Sequence, residues 1–184
     1  DPDAFAALQD AVMPRLVQGR LPSDPLRVWV LGCSTGEEAY SLAIALTEAV
    51  ETADVPTTFQ VFATDLSAPA IEKARAGMYP KPIAQDMSPE RLRRFFVDVD
   101  GHYRVIKAIR DRCVFARHDV LVDPPFSRVD LVSCRNLLIY LEPPVQQQVL
   151  TVIHYALKTR GVLWLGGSET IGPYRELFDA QDTA

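Results

Sequence analysis

Residues 27–38 read Arg27-Val28-Trp29-Val30-Leu31-Gly32-Cys33-Ser34-Thr35-Gly36-Glu37-Glu38: a short β-branched and aromatic run that stops at one glycine, turns, and restarts after a second. The run reads as a buried strand, and the stripe Ala39, Leu42, Ala43, Leu46 and Val50 reads as the helix that follows it. Working outward, the unit recurs. A strand is expected over 59–63 with a helix over 69–76, then a strand over 129–134 with a helix over 143–157, and a closing strand over 161–165. Strands that are apolar throughout and alternate with helices pack into a mainly parallel sheet covered on both faces. The expected class is doubly wound α/β.

Ahead of this core, Phe5, Leu8, Val12 and Leu16 fall at helical spacing, predicting one amphipathic helix that ends near Gly19 before the turn-rich Leu21-Pro22-Ser23-Asp24-Pro25. Residues 1–25 are therefore expected as a leading helix and linker, and 26–184 as the main domain. A segment at about 79–114 breaks the alternation. It holds a helix start at Ser88-Pro89-Glu90, and Val97 to Val105 alternates apolar and polar residues around Asp100-Gly101, a hairpin signal. An inserted antiparallel subdomain is expected there.

The chain has 184 residues, enough for one sizeable core. Its net charge of −5 argues against a general nucleic-acid binder, yet Lys81 to Arg117 carries nine basic residues against five acidic. That cluster is either a solvated face or a surface for an acidic protein partner. No apolar run is long enough to span a membrane and no secretory leader opens the chain, so a cytoplasmic protein without membrane insertion is expected. The missing initiator Met suggests a piece of something longer. Cys33, Cys113 and Cys134 lie far apart, encode neither a disulfide framework nor a metal site, and read as small buried residues.

In open α/β sheets, ligands bind at the carboxyl ends of strands, where Gly turns and helix N-termini admit them. Gly32 and Gly36 sit at such an end, but their spacing departs from the dinucleotide fingerprint and Glu37 and Glu38 would repel a pyrophosphate. The acidic pair suits a positively charged amine, such as the methionine end of S-adenosylmethionine. A nicotinamide-dependent oxidoreductase is disfavoured on the same grounds. Asp65 follows the second strand and either accepts the hydroxyls of a ribose or caps the next helix, a task open also to Ser67. His102, His118 and His154 have no evident catalytic partner and are expected to be structural or on the surface.

With these residues assembled, the sequence resembles the catalytic domain of the chemotaxis receptor methyltransferase (CheR) family, the protein-glutamate O-methyltransferases. The resemblance runs through Arg27-Val28-Trp29-Val30, Gly36-Glu37-Glu38-Ala39-Tyr40-Ser41, Phe62-Ala63-Thr64-Asp65, Cys134-Arg135-Asn136-Leu137-Leu138-Ile139-Tyr140 and Gly167-Ser168-Glu169 in family order. Phe115-Ala116-Arg117-His118-Asp119 is similar to members fused with a methylesterase and sensor modules. The resemblance implies a Rossmann-like class I S-adenosylmethionine methyltransferase fold. It implies a cofactor pocket of Gly32, Ser34, Thr35, Gly36, Glu37, Asp65, Leu66, Asp119, Val120, Arg135 and Asn136, with Arg135 and Tyr140 as catalytic residues. Glu37 would take the cofactor's amino group, Asp65 its ribose, and Asp119 with Val120 the surroundings of its adenine. No metal is expected. The implied partner is a chemoreceptor or related signalling protein bearing methylatable glutamates; the alternative is a catalytically weak or inactive cofactor-binding sensor or scaffold. Arg135 is open to a second reading, as half of a structural ion pair. The family's N-terminal helical domain and its last edge strand have no counterpart here, and the hairpin is shorter than in members that grip a receptor tether peptide.

Overall fold

The computed structural model describes residues 2–180, so the last four residues of the expected main domain lie outside the described part. Five strands form one parallel sheet in the order β6-β2-β1-β7-β8: β1 Leu26–Leu31, β2 Phe59–Asp65, β6 Cys113–Arg117, β7 Val129–Cys134 and β8 Leu157–Leu165. Alternation along β1 divides the core. Val28 and Val30 face the helix α3 (Glu37–Ala53) with Leu42, Ala43 and Leu46, while Trp29 and Leu31 join Val149, Leu150 and Ile153 of α7 (Pro143–Ala156) on the other face. The parallel, doubly covered sheet expected from the apolar runs is therefore present.

The leading segment is helical from Pro2 to Val17, but as α1 (Pro2–Ala7), a π-helical stretch (Leu8–Val12) and α2 (Met13–Val17) rather than one regular helix. Pro14 accounts for the wider turn, because it has no N–H to donate and its ring crowds the carbonyl one turn earlier. Leu8, Val12 and Met13 nevertheless enter the main core. At the foot of the sheet, the buried carboxylate of Asp130 accepts the backbone N–H of Arg27 at 2.9 Å, pairs with Lys158 at 2.9 Å, and pairs with Arg20. One carboxylate thus fastens the linker, β1 and β8 together.

The inserted subdomain is a three-stranded antiparallel sheet, β3 (Met78–Pro80), β5 (His102–Val105) and β4 (Phe96–Val99), with short helices α5 (Pro89–Phe95) and α6 (Lys107–Arg110). Asp100 and Gly101 both have positive φ, 49° and 80°, as a two-residue hairpin turn with the twist of its strands requires. Ser88 caps α5 through the N–H of Arg91 at 3.2 Å. At the far end of the inserted segment, Cys113 and Val114 belong to β6, which pairs in parallel with β2. Only Phe115 of this edge strand is buried, so β6 lacks the continuous apolar run that marks the central strands. Edge position also hid half of β8, whose Lys158-Thr159-Arg160 read as loop residues.

The basic cluster is mostly spent inside the molecule. Arg91 forms two hydrogen bonds with Glu48 at 2.9 and 2.6 Å, and Arg94 reaches Glu51 at 2.5 Å, so both dock the subdomain on α3. Lys81 pairs with Asp98, and Lys107 with Asp111 at 2.5 Å. Among the described residues, no helix is long and apolar enough to cross a membrane. Asp130→Ala leaves Arg20 and Lys158 without their shared acceptor; unfolding stability is expected to fall by about 3 kcal/mol, or about 6–12 °C in melting temperature, checked by calorimetry.

Candidate cofactor and methyl-transfer site

The carboxyl ends of β1, β2, β6 and β7 converge on the turn between β1 and α3. Gly36 holds that turn in the left-handed region at φ 92°, and a Cβ there would lie 2.9 Å from the Cβ of Ala74 and 3.1 Å from Phe115. A larger residue would have to push away α4 (Ala68–Ala76) or β6, so the glycine lets helix and strand close on the turn. Gly32, also left-handed at φ 67°, is exposed, and a Cβ on it would meet only Leu137 at ordinary contact distance. Ser34 is held at φ 47° without being glycine. The Asp65 side chain accepts its N–H at 2.9 Å, and Tyr79 of the subdomain donates its hydroxyl to the Thr35 carbonyl at 2.8 Å. Burial pushes the Tyr79 phenol up, so it stays a donor.

Asp65 does not cap α4. Ser67 does, accepting the N–H of Ala70 at 3.3 Å, while Asp65 accepts Ser34 N–H on one oxygen and Ser67 N–H, at 2.8 Å, on the other. An ionised carboxylate offers about four acceptor positions, so each oxygen keeps one for a ligand. Next door, the N–H of His118 donates to the Asp65 carbonyl at 3.1 Å, placing Asp119 and Val120 on the adjoining strand end. Asp119 shapes its own loop, accepting Leu121 N–H at 2.9 Å, and Val120 packs against the second core cluster. Leu66 is exposed beside them.

Glu37 is exposed at the first turn of α3 and hydrogen-bonds with the Thr35 hydroxyl at 2.7 Å; Gly36, the residue before the helix, supplies no side-chain cap. Glu38 points inward. It accepts the Ser133 hydroxyl at 2.5 Å and lies 3.6 Å from Arg135, whose guanidinium covers the Trp164 ring at 4.2 Å. Burial pushes the Glu38 carboxyl above the usual carboxylate range, against the pull of Ser133 and Arg135. Arg135 thus has the ion-pair partner that its second sequence reading expects. Asn136 follows with φ 57°. Tyr140 ends a 3-10 turn (Leu138–Tyr140) and is 79% exposed.

Two contributors carried no role in the sequence reading. Glu169 accepts the N–H groups of Asn136 and Leu137, each at 2.8 Å, and of Leu138 at 2.7 Å; its motif position was visible but its partners are more than 30 residues away. Tyr79, inside the insertion, showed no signal at all. The histidines do find contacts: His118 hydrogen-bonds with the Pro124 carbonyl at 3.1 Å and stacks on Phe126, His154 meets Phe178 edge-on, and His102 lies 3.3 Å from the Asp100 carbonyl. Burial pushes the thiols of Cys33, Cys113 and Cys134 up to about 12, which keeps all three protonated and poor nucleophiles at neutral pH. Among the described residues no cluster of metal-ligating side chains occurs.

The parallel sheet in the order β6-β2-β1-β7-β8, with its Gly turn after β1, has the doubly wound arrangement of class I S-adenosylmethionine-dependent methyltransferases. The glycopeptide N-methyltransferase MtfA, crystallised with sinefungin, superposes with a TM-score of 0.51 at 15% identity, over 78% of this chain and 44% of that one. Residues 1–183 match the CheR methyltransferase SAM binding domain, and the chain belongs to that family. It is 37% identical over 172 residues to Chemotaxis protein methyltransferase 1 of Pseudomonas aeruginosa, covering 91% of this chain and 62% of that protein. It is 47% identical over 171 residues to an uncharacterized 104.1 kDa protein of Rhodobacter capsulatus, covering 93% of this chain but 18% of that protein. The chain thus spans under two thirds of the length of these relatives.

The residues fit the family's cofactor: an exposed carboxylate for an amine, a helix start without a side-chain cap, and a half-satisfied carboxylate at the next strand end. Asp65→Ala should weaken S-adenosylhomocysteine binding by about 1–3 kcal/mol, through the lost ligand bond and the release of Ser34. Titration calorimetry reads it, and an unchanged affinity removes Asp65 from the pocket.

Proposed function

We propose that the protein containing this chain transfers a methyl group from S-adenosylmethionine to glutamate side-chain carboxylates of a chemoreceptor or related signalling protein in the cytoplasm. The observation that carries this reading is that Asp65 ends β2, Arg135 follows β7 and Glu37 opens α3 after the β1 turn, in a chain that belongs to the CheR family. In the proposed pocket, Glu37 holds the cofactor's amino group, Asp65 its ribose hydroxyls, and Leu66, Asp119 and Val120 surround its adenine. Gly32, Ser34, Thr35 and Gly36 supply the backbone wall, and Asn136 completes it.

Held there, S-adenosylmethionine would supply an electrophilic methyl for a carboxylate oxygen, the electron pair of the broken C–S bond staying on sulfur. A glutamate with a reference pKa of about 4.3 is already ionised at neutral pH, so the site needs no general base. This agrees with histidines occupied elsewhere and thiols that stay protonated. The chain's own contribution is proximity and alignment. Arg135 orients the substrate carboxylate through its planar pair of N–H donors, and exposed Tyr140 flanks it. The low share of the Rhodobacter capsulatus protein covered by the match supports a multidomain parent, such as a fusion with methylesterase or sensor modules.

One observation favours a second reading. Arg135 is already held by Glu38 and Trp164, an arrangement that also suits a module that binds cofactor without turnover. Transfer of labelled methyl to a base-labile product on glutamate-rich receptor helices separates the two. Within the enzyme reading, Arg135→Lys loses the bidentate geometry and should lower methyl transfer by about 10-fold or more while sparing cofactor affinity. Equal loss in paired transfer and calorimetric assays would rule out the orienting role.

A further inference from the structure

The loop that leaves β7 is held by a carboxylate from the far side of β8. Glu169 accepts four backbone N–H groups: Asn136 at 2.8 Å and Gly166 at 2.9 Å on one oxygen, Leu137 at 2.8 Å and Leu138 at 2.7 Å on the other. Asn136 is left-handed at φ 57° and Leu137 right-handed at φ −112°, ψ −50°. That alternation turns successive N–H groups toward one point and makes an anion-binding hollow. Here the anion is the chain's own side chain. With its acceptor positions filled in this way, Glu169 has none left for a ligand.

Its effect is therefore on what it holds. Arg135 lies between Cys134, fixed in the buried strand β7, and Asn136, fixed by Glu169. Trp164, which carries the Arg135 guanidinium, is on β8 two residues before Gly166, and Gly166 is bound to the same carboxylate. Gly166 also leaves the room, because a Cβ there would stand 2.8 Å from Glu169 Oε2 and 3.0 Å from Asn136 Oδ1.

We infer that Glu169 is a positioning residue, which holds the Arg135–Asn136 loop and the Trp164 platform in the arrangement that methyl transfer requires. The inference rests on the proposed role of Arg135. In the full protein, Glu169→Gln keeps the size but replaces one acceptor oxygen by a donor that faces N–H groups. It is expected to lower kcat by about 30- to 100-fold, the scale of an error of about 1 Å in placement, with a much smaller loss of S-adenosylhomocysteine affinity, because Asp65 and Glu37 stand on other loops and only Asn136 of the proposed pocket is displaced. Gly166→Ala, which displaces the carboxylate without removing it, should show the same split between kcat and affinity.

Wild-type kcat in folded Glu169→Gln overturns the inference. So does a fall in kcat matched by an equal loss of cofactor affinity, or loss of the folded state in both variants, since each makes Glu169 a general structural residue. If the wild-type protein methylates no glutamate, the proposed function fails by itself, and the Arg135 Nε–H resonance decides the inference in the cofactor-bound protein. A single sharp line at the wild-type position in Glu169→Gln overturns it; broadening or splitting supports it.

Discussion

A side chain at position 36 would bring its Cβ to 2.9 Å from Ala74 and 3.1 Å from Phe115 while forcing a left-handed φ, so the turn from β1 into α3 closes only around glycine. Everything else at the site is arranged on that closure. Because α4 and β6 can approach the turn so closely, Asp65 at the end of β2 reaches the Ser34 N–H and Tyr79 of the inserted subdomain reaches the Thr35 carbonyl. The four strand ends then form one rim rather than separate loops.

The rim is organised by carboxylates that accept backbone N–H groups. Asp65 satisfies two, Glu169 four, and Asp130 does the comparable work at the opposite end of the sheet with one N–H and two cations. An unsatisfied buried N–H costs about 1–3 kcal/mol, and an ionised acceptor makes the stronger bond, so each carboxylate fixes several residues at once. Glu38 differs. Its partners are side chains, and its burial raises the cost of its charge, opposed first by the Ser133 hydroxyl and then by Arg135.

The electrostatics of the insertion follow the same economy. Nine basic residues between Lys81 and Arg117 leave a solvated face or a surface for acidic partners open, yet Arg91 and Arg94 bind Glu48 and Glu51 on α3. Their contribution is to seat the subdomain so that Tyr79 meets the turn between β1 and α3. Exposed pairs such as Lys107–Asp111 add little stability, about 0–1 kcal/mol, and are weakened further by salt.

The sequence by itself determined the units with local causes. The β-branched and aromatic run at 27–31 and the stripe after Glu37 specify strand and helix, Asp100-Gly101 specifies its hairpin, and Ser67 and Ser88 specify helix starts, because each depends on neighbours within a few residues. The Gly32 to Glu38 turn and Asp65 were legible as a candidate site for a related reason: strand ends are where such sheets bind ligands. Tertiary structure decided the rest. The edge strand β6 and the polar first half of β8 show no continuous apolar run, since an edge strand is pinned by hydrogen bonds to a partner more than by burial. The roles of Glu38, Arg91 and Glu169 depended on partners 31 to 97 residues away, Ser133 and Arg135 for Glu38, Glu48 for Arg91 and the 136–138 loop for Glu169, and no local pattern encodes which distant donor a carboxylate will meet.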